Sequence, residues 1–209
     1  MNAIERAAAV VLAGAAIVMA GSAAQNSPPK RLKGTVSLSG AWALYPMAVT
    51  WAEEFRKAQP GVRIDVQAGG AGKGMADALA GMADFGMVSR EIHPDEVKKG
   101  ALAFAVAKDG VVATVSARNP LLAEIMKRGI AREHFVAIWI TGADKTWGQV
   151  LGGTASAAAI HAFTRSDACG AADTWAIYLG KRQEDLGGVG VYGDPGLADA
   201  VRRDPLAIG

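Results

Sequence analysis

Three times this chain runs from a short apolar stretch, through a loop of small residues, into a segment patterned as a helix. The loops are SGAWAL (39–44), GGAGKG (69–74) and DACGAA (167–172). Repeated strand–loop–helix units imply a largely parallel sheet covered by helices, because parallel strands need a crossover and the helix supplies it. TVSLS (35–39) reads as a strand. In the segment after it, Leu44, Met47, Trp51 and Phe55 recur at helical spacing. Pro60-Gly61 ends that helix. VRIDV (62–66) alternates as a strand, and the glycine loop then opens a helix through Leu79. DFGMVS (84–89) is a third strand and 94–99 a short helix. The stretch 101–116 reads as two extended runs around a Lys108-Asp109-Gly110 turn.

The second half continues in the same style. Residues 120–129 read as a helix, and 134–142 carry an apolar stripe that ends at a glycine. Residues 160–164 form a strand and 170–179 a helix. A last helix, 195–203, has Asp194 as its N-cap and proline at its first position. The expected architecture is two α/β lobes, 34–107 and 108–209, joined near 103–116.

The N-terminus reads as an export signal rather than part of the fold. Residues 7–21 are an unbroken apolar run, followed by Ser22-Ala23-Ala24 as small residues before Gln25. The run is short for a membrane span. Residues 1–24 are therefore read as a signal peptide and 25–33, with Pro28-Pro29, as a stiff spacer. No cysteine stands near the cleavage point, so the expected product is periplasmic and not a lipoprotein. A formal net charge of +2 in 209 residues is too small for the basic surface that nucleic-acid binding demands.

The chemistry points to an anion. Each small-residue loop presents unpaired backbone N–H groups at the start of a helix, where local donors and the helix dipole favour negative charge. Arg165, just before the third loop, adds a charge-assisted donor. AGGAGKG departs from the phosphate-binding loop of nucleotide hydrolases at Gln67 and Gly74. GVGVYG (188–193) lies late in the chain and is not read as a dinucleotide fingerprint. His93, His134 and His161 are scattered, so no metal site and no cofactor is expected.

These motifs, in this order and spacing, resemble the phosphate-binding proteins of phosphate ABC transporters, which have the type II periplasmic-binding-protein fold. The resemblance covers roughly 34–209. It rests on the Ser39-Gly40…Pro46 loop entering a helix with WAEEF, on PGVRIDVQAGGAGKG, on ADFGMVSR and on TRSDACG. It implies two lobes that close over phosphate or a related oxyanion, deliver it to a membrane permease, and work as a monomer. Carried onto this chain, Asp84 matches the aspartate that accepts a proton from protonated phosphate. Arg165 matches the ligand arginine, and Gly170 a glycine whose N–H faces the anion. Ser89 and Arg90 match a serine-arginine pair. Ala41, Trp42, Ala43, Ala71, Gly72, Cys169 and Ala171 stand at the loop positions around the ligand.

The hydroxyl donors are where the chain departs from the family. Ala41, Trp42 and Ala43 replace Ser/Thr positions, Ala71 replaces a serine, and Cys169 and Ala171 replace a serine and a threonine. Each lost hydrogen bond to a charged ligand costs about 1.5–3 kcal/mol. Lys73 and Trp42 are the candidates for compensation. Other readings stand beside these: Asp84 as a turn cap, Arg165 paired with Asp167 or Asp173, and Trp42 as core. Two further functions compete with transport. One is a signalling or assembly module of the same fold with an altered ligand. The other is an enzyme with Cys169 as nucleophile and His161 as base. In the resembling family the chain continues past LAIG to complete the first lobe. This sequence is therefore either a fragment or a shortened relative whose first lobe is incomplete.

Overall fold

The computed structural model describes residues 31–152 and 157–209. The segment read as a signal peptide, and all but the end of the spacer, lie outside the described residues. Among those described, no helix is long and apolar enough to cross a membrane.

The first lobe is built on a parallel sheet of β1 (Gly34–Gly40), β2 (Val62–Ala68) and β3 (Phe85–Met87), in the order β2-β1-β3. Helix α1 (Tyr45–Ala58) joins β1 to β2. Proline stands in its first turn, where no N–H is needed, and Arg56 and Lys57 meet the negative end of its dipole. Helix α2 (Ala71–Leu79) joins β2 to β3 and begins after Gly70. The φ of 91° at Gly70 is one that only glycine adopts freely. A short helix α3 (Pro94–Lys98) follows β3.

This lobe packs backbone against backbone. Its buried cluster is Ala41, Ala48, Ala71 and Met87, with little side-chain volume. Instead α2 lies almost directly on β1 and β3. A Cβ on Gly74 would sit 2.5 Å from the Ser39 oxygen and 2.7 Å from the Gly40 Cα. One on Gly86 would sit 2.5 Å from the Gly74 oxygen.

The second lobe has its own parallel sheet, β4 (His161–Arg165), β5 (Val189–Val191) and β6 (Ala207–Ile208), in the order β5-β4-β6. Around it lie α4 (Leu122–Arg128), α5 (Arg132–Val136) continuing into a π-helical turn (Ala137–Thr141), α6 (Trp147–Leu151), α7 (Gly170–Leu179) and α8 (Asp194–Arg203). Large aromatics fill this core. Phe135, Trp139 and Trp175 pack mutually, with ring centroids 5.1–5.9 Å apart. Trp147 is fully buried, and its Nε1–H donates to the Leu206 oxygen at 3.2 Å. Trp139 donates to the Phe163 oxygen at 3.1 Å. Trp139 thus fastens its helical turn to β4, and Trp147 fastens α6 to the turn before β6, while their rings fill the space between.

Two expectations need correction. The 101–116 stretch forms no sheet strand. Its regular contacts are a bridge from Val115 to Ile208 and the paired Thr114–Gly209 backbone bonds at 2.8 and 2.9 Å. Asp194 does not cap the last helix. Gly193 holds the cap position, and the Asp194 carboxylate turns away to Arg165. The helix also follows β5 directly, a strand–helix unit that the Gly/Pro turn conceals in the sequence.

The glycine packing yields a prediction. Alanine is a better helix former than glycine by about 1 kcal/mol, so Gly74→Ala should stabilise an exposed helix. Here the overlap with Ser39 and Gly40 should win, and Gly74→Ala is expected to destabilise the protein by about 2 kcal/mol, read from its denaturant-unfolding midpoint.

Candidate functional site

Both sheets aim the C-terminal ends of their strands at one cleft, where ligands bind in parallel α/β sheets. The cleft is lined by Trp42, Ala43, Ala71, Ser89, Asp109, Arg165, Cys169, Ala171 and Asp194. Seven of these nine residues are anticipated from the sequence.

The N–H groups of Trp42, Ala43, Ala71, Gly170 and Ala171 have no protein acceptor among the described residues. Buried N–H groups are nearly always paired, so the unpaired donors of the buried Ala71 and Gly170, at two helix starts, are free to receive an acceptor. Ala41 is buried behind this cradle, its N–H donating to the Met87 oxygen at 2.8 Å. Gly72 does not join the cradle: its N–H donates to the Ala168 oxygen of the other lobe at 3.1 Å.

Arg165 stands at the centre. Its Nε donates to Asp167 Oδ1 at 2.8 Å and its Nη2 to Asp167 Oδ2 at 2.5 Å, a bidentate pair, while Nη1 bonds Asp194. Only 2% of the arginine side chain remains exposed. Burial disfavours its charge, but the Asp167 hydrogen bond and the neighbouring charges of Asp167, Asp194 and Cys169 together outweigh that and hold its pKa above the ordinary value. Asp167 also accepts from the Gly193 N–H at 3.2 Å, and Gln183 clamps the loop by donating to the Asp167 carbonyl at 2.7 Å. Burial pushes the Asp194 pKa up against the pull of Arg165, and the charges of Asp167 and Asp109 add to the rise.

Cys169 caps α7: its sulfur accepts the Ala172 N–H at 3.4 Å. Burial pushes its thiol pKa up, the opposite of what a nucleophile needs. The base proposed for it, His161, lies at the far end of β4 and bonds Asp204 at 2.6 Å.

Asp84 and Lys73 lie away from the cleft. Asp84 stands at the entering end of β3, about 10 Å of strand away from the cleft. There its carboxylate accepts from the backbone and hydroxyl of Ser37, both at 2.8 Å, which hold its pKa below the usual value. Lys73 does not reach the cleft; it bonds Asp77 and, at 2.9 Å, Ser39 Oγ. Arg90 lies behind Ser89 in a bidentate pair with Glu96, at 2.7 and 2.9 Å. That pair fixes the turn that presents Ser89. Trp42 lies at the cleft rather than in the core: its ring meets Tyr192 edge-on at 6.0 Å and covers Gly193, bridging the lobes, and its buried indole Nε1–H has no hydrogen-bond partner among the described residues.

Sequence reasoning missed Asp109, Asp194 and Gln183. Asp109 and Asp194 stand at turns, where a carboxylate reads as local chemistry, and Gln183 carries no motif at all.

Residues 23–209 match the family of the PBP superfamily domain, and the chain belongs to that family. It is similar to the phosphate-binding protein PstS of Bacillus subtilis, 28% identical over 182 residues, which cover 86% of this chain and 57% of that protein. It is also similar to phosphate-binding protein PstS 2 of Streptococcus agalactiae, 31% identical over 86 residues, or 41% of this chain and 29% of that protein. The chain thus spans between about a third and a little over half the length of these relatives. Its fold matches a protein from Clostridium perfringens, assigned as a phosphate ABC transporter substrate-binding protein and solved with bound phosphate. The TM-score is 0.70 and the identity 25%, over 84% of this chain and 69% of that one. The fold of an ABC-type phosphate transport receptor from Vibrio cholerae matches with a TM-score of 0.60 at 22% identity, over 84% of this chain and 70% of that one.

Two predictions follow from these contacts. A Cβ on Gly170 would lie 2.0 Å from the Ser89 oxygen across the cleft, so Gly170→Ala should hold the lobes apart. Small-angle scattering should then show a larger radius of gyration with an unchanged circular dichroism spectrum. Arg90 holds the Glu96 carboxyl down at about 2. A depressed carboxylate contributes stability above its unfolded value, about 4.3, and loses it as pH falls through the folded one. Wild-type stability should therefore drop between about pH 4 and 2. Glu96→Gln should lose roughly 1–3 kcal/mol at pH 7 and show a shallower acid decline in urea titrations.

Proposed function

We propose that this protein is an exported solute-binding protein that captures phosphate, or a related tetrahedral oxyanion, between its lobes for an ABC transporter. One observation carries the reading. Unpaired N–H groups from three separate helix starts converge, with Arg165, on a single interlobe cleft. The relatives' names point the same way, as does a structural neighbour holding phosphate. The proposal includes a periplasmic location after removal of residues 1–24, action as a monomer, delivery to a membrane permease, and no catalytic role. It takes 34–107 and 108–209 as the two lobes.

The anion is held by oriented backbone dipoles, which need no reorganisation and lie in a largely water-excluded cleft. The missing hydroxyls reduce the donor count without removing the cradle. Arg165 supplies the charge, and contacts such as Gly72 to Ala168 and Trp42 to Tyr192 hold the lobes together over the ligand.

Isothermal titration calorimetry against phosphate, sulfate and molybdate tests this. Arg165→Ala should weaken phosphate binding by about 100-fold, the equivalent of roughly 2.7 kcal/mol for a lost charge-assisted contact. Lys73→Ala should change it less than about threefold, because Lys73 is engaged with Asp77. Equal, undiminished binding by both variants would refute the assignment.

A further inference from the structure

We infer that Asp194 is an internal competitor for the bound anion, occupying the arginine donor that the ligand needs. The inference rests on the anion-binding reading of the cleft. Arg165 offers two regions to partners. The Nε and Nη2 side belongs to Asp167, whose carboxylate is only 7% exposed and also accepts the Gly193 N–H. That pair is part of the frame. Nη1 belongs to Asp194, whose side chain is 40% exposed and has no other hydrogen-bond partner among the described residues. Asp194 can swing into solvent, whereas Asp167 cannot.

Burial makes the competition direct. With 2% of its side chain exposed, Arg165 has no free face for an anion while Asp194 is in place. The surrounding charge acts in the same direction. Asp109 lines the same cleft, and Asp167 already balances the one guanidinium. An entering oxyanion therefore meets two carboxylates on the wall, and displacing Asp194 both clears Nη1 and removes the nearer like charge. Asp194 also stands at the first turn of α8, so its negative charge remains favourably placed at a helix start after it leaves the arginine. It thereby sets how tightly the cleft holds its ligand and how readily it lets go.

The test is calorimetry of the purified protein with inorganic phosphate, comparing wild type, Asp194→Asn and Asp109→Asn. Asp194→Asn is expected to bind phosphate at least about tenfold tighter than wild type, and Asp109→Asn to gain clearly less, since it removes a wall charge without freeing Nη1. Phosphate should also raise the unfolding midpoint of Asp194→Asn more than that of wild type. Asp194→Ser removes the same charge and gives the same reading if the asparagine variant folds poorly. Equal gains in Asp194→Asn and Asp109→Asn, or no gain in Asp194→Asn, overturn the inference and leave the phosphate reading to stand on wild-type binding. A silent wild type with a binding Asp194→Asn supports the inference and ends the reading of the native chain as a working phosphate receptor. Silence in all variants ends both.

Discussion

The bidentate pair of Arg165 and Asp167 is the contact on which the rest of the cleft depends. A guanidinium this deeply buried loses several kcal/mol of hydration, which only a well-placed counter-ion offsets. Asp167 meets both Nε and Nη2, and the loop it sits on is tied by Gln183 and by the Gly193 N–H. That one ion pair therefore orients the turn after β4, aims the start of α7 into the cleft and links it to the turn before α8. Removing either partner leaves a charge stranded in a poorly solvated place, a larger loss than the hydrogen bonds themselves.

The two lobes meet this centre with unlike materials. The first brings helix and sheet into contact through Gly40, Gly74 and Gly86, so its loops are positioned by main-chain geometry with almost no side-chain freedom. The second surrounds β4 with tryptophans that fill volume, two of which hydrogen-bond main-chain carbonyls of β4 and of the turn before β6. Across the gap, Gly170 against Ser89 and Gly72 against Ala168 let backbone meet backbone. Small residues in the loops thus serve two ends: they expose N–H groups to a ligand and they let the lobes approach.

Local pattern carried much of this architecture into the sequence. The strand–loop–helix units stand where alternation and helical periodicity put them, and α7 begins and ends at the expected residues. The cleft loops were legible because glycine and alanine before a helix have a local physical meaning. What was not legible depends on register and on partners far away in sequence. Asp84 fits a ligand position by motif, but it precedes β3 and its carboxylate bonds Ser37 rather than facing the cleft. Asp194 was a plausible cap, yet a buried arginine 29 positions earlier draws its carboxylate more strongly than the helix does. The 101–116 runs have the composition of strands, but strand composition expresses a fit to a half-buried surface, and no neighbouring strand supplies that surface here.

That last stretch has a consequence for handling the protein. Among the described residues, 102–113 make no backbone–backbone hydrogen bond, and Leu102, Phe104, Val106 and Val112 are all largely exposed. Chain with unmet backbone hydrogen-bonding groups and alternating exposed apolar side chains is a template on which strands can add edge to edge. This stretch is therefore expected to contribute to association at high concentration, and a lysine in place of Phe104, away from Asp109 in the cleft, would act on solubility.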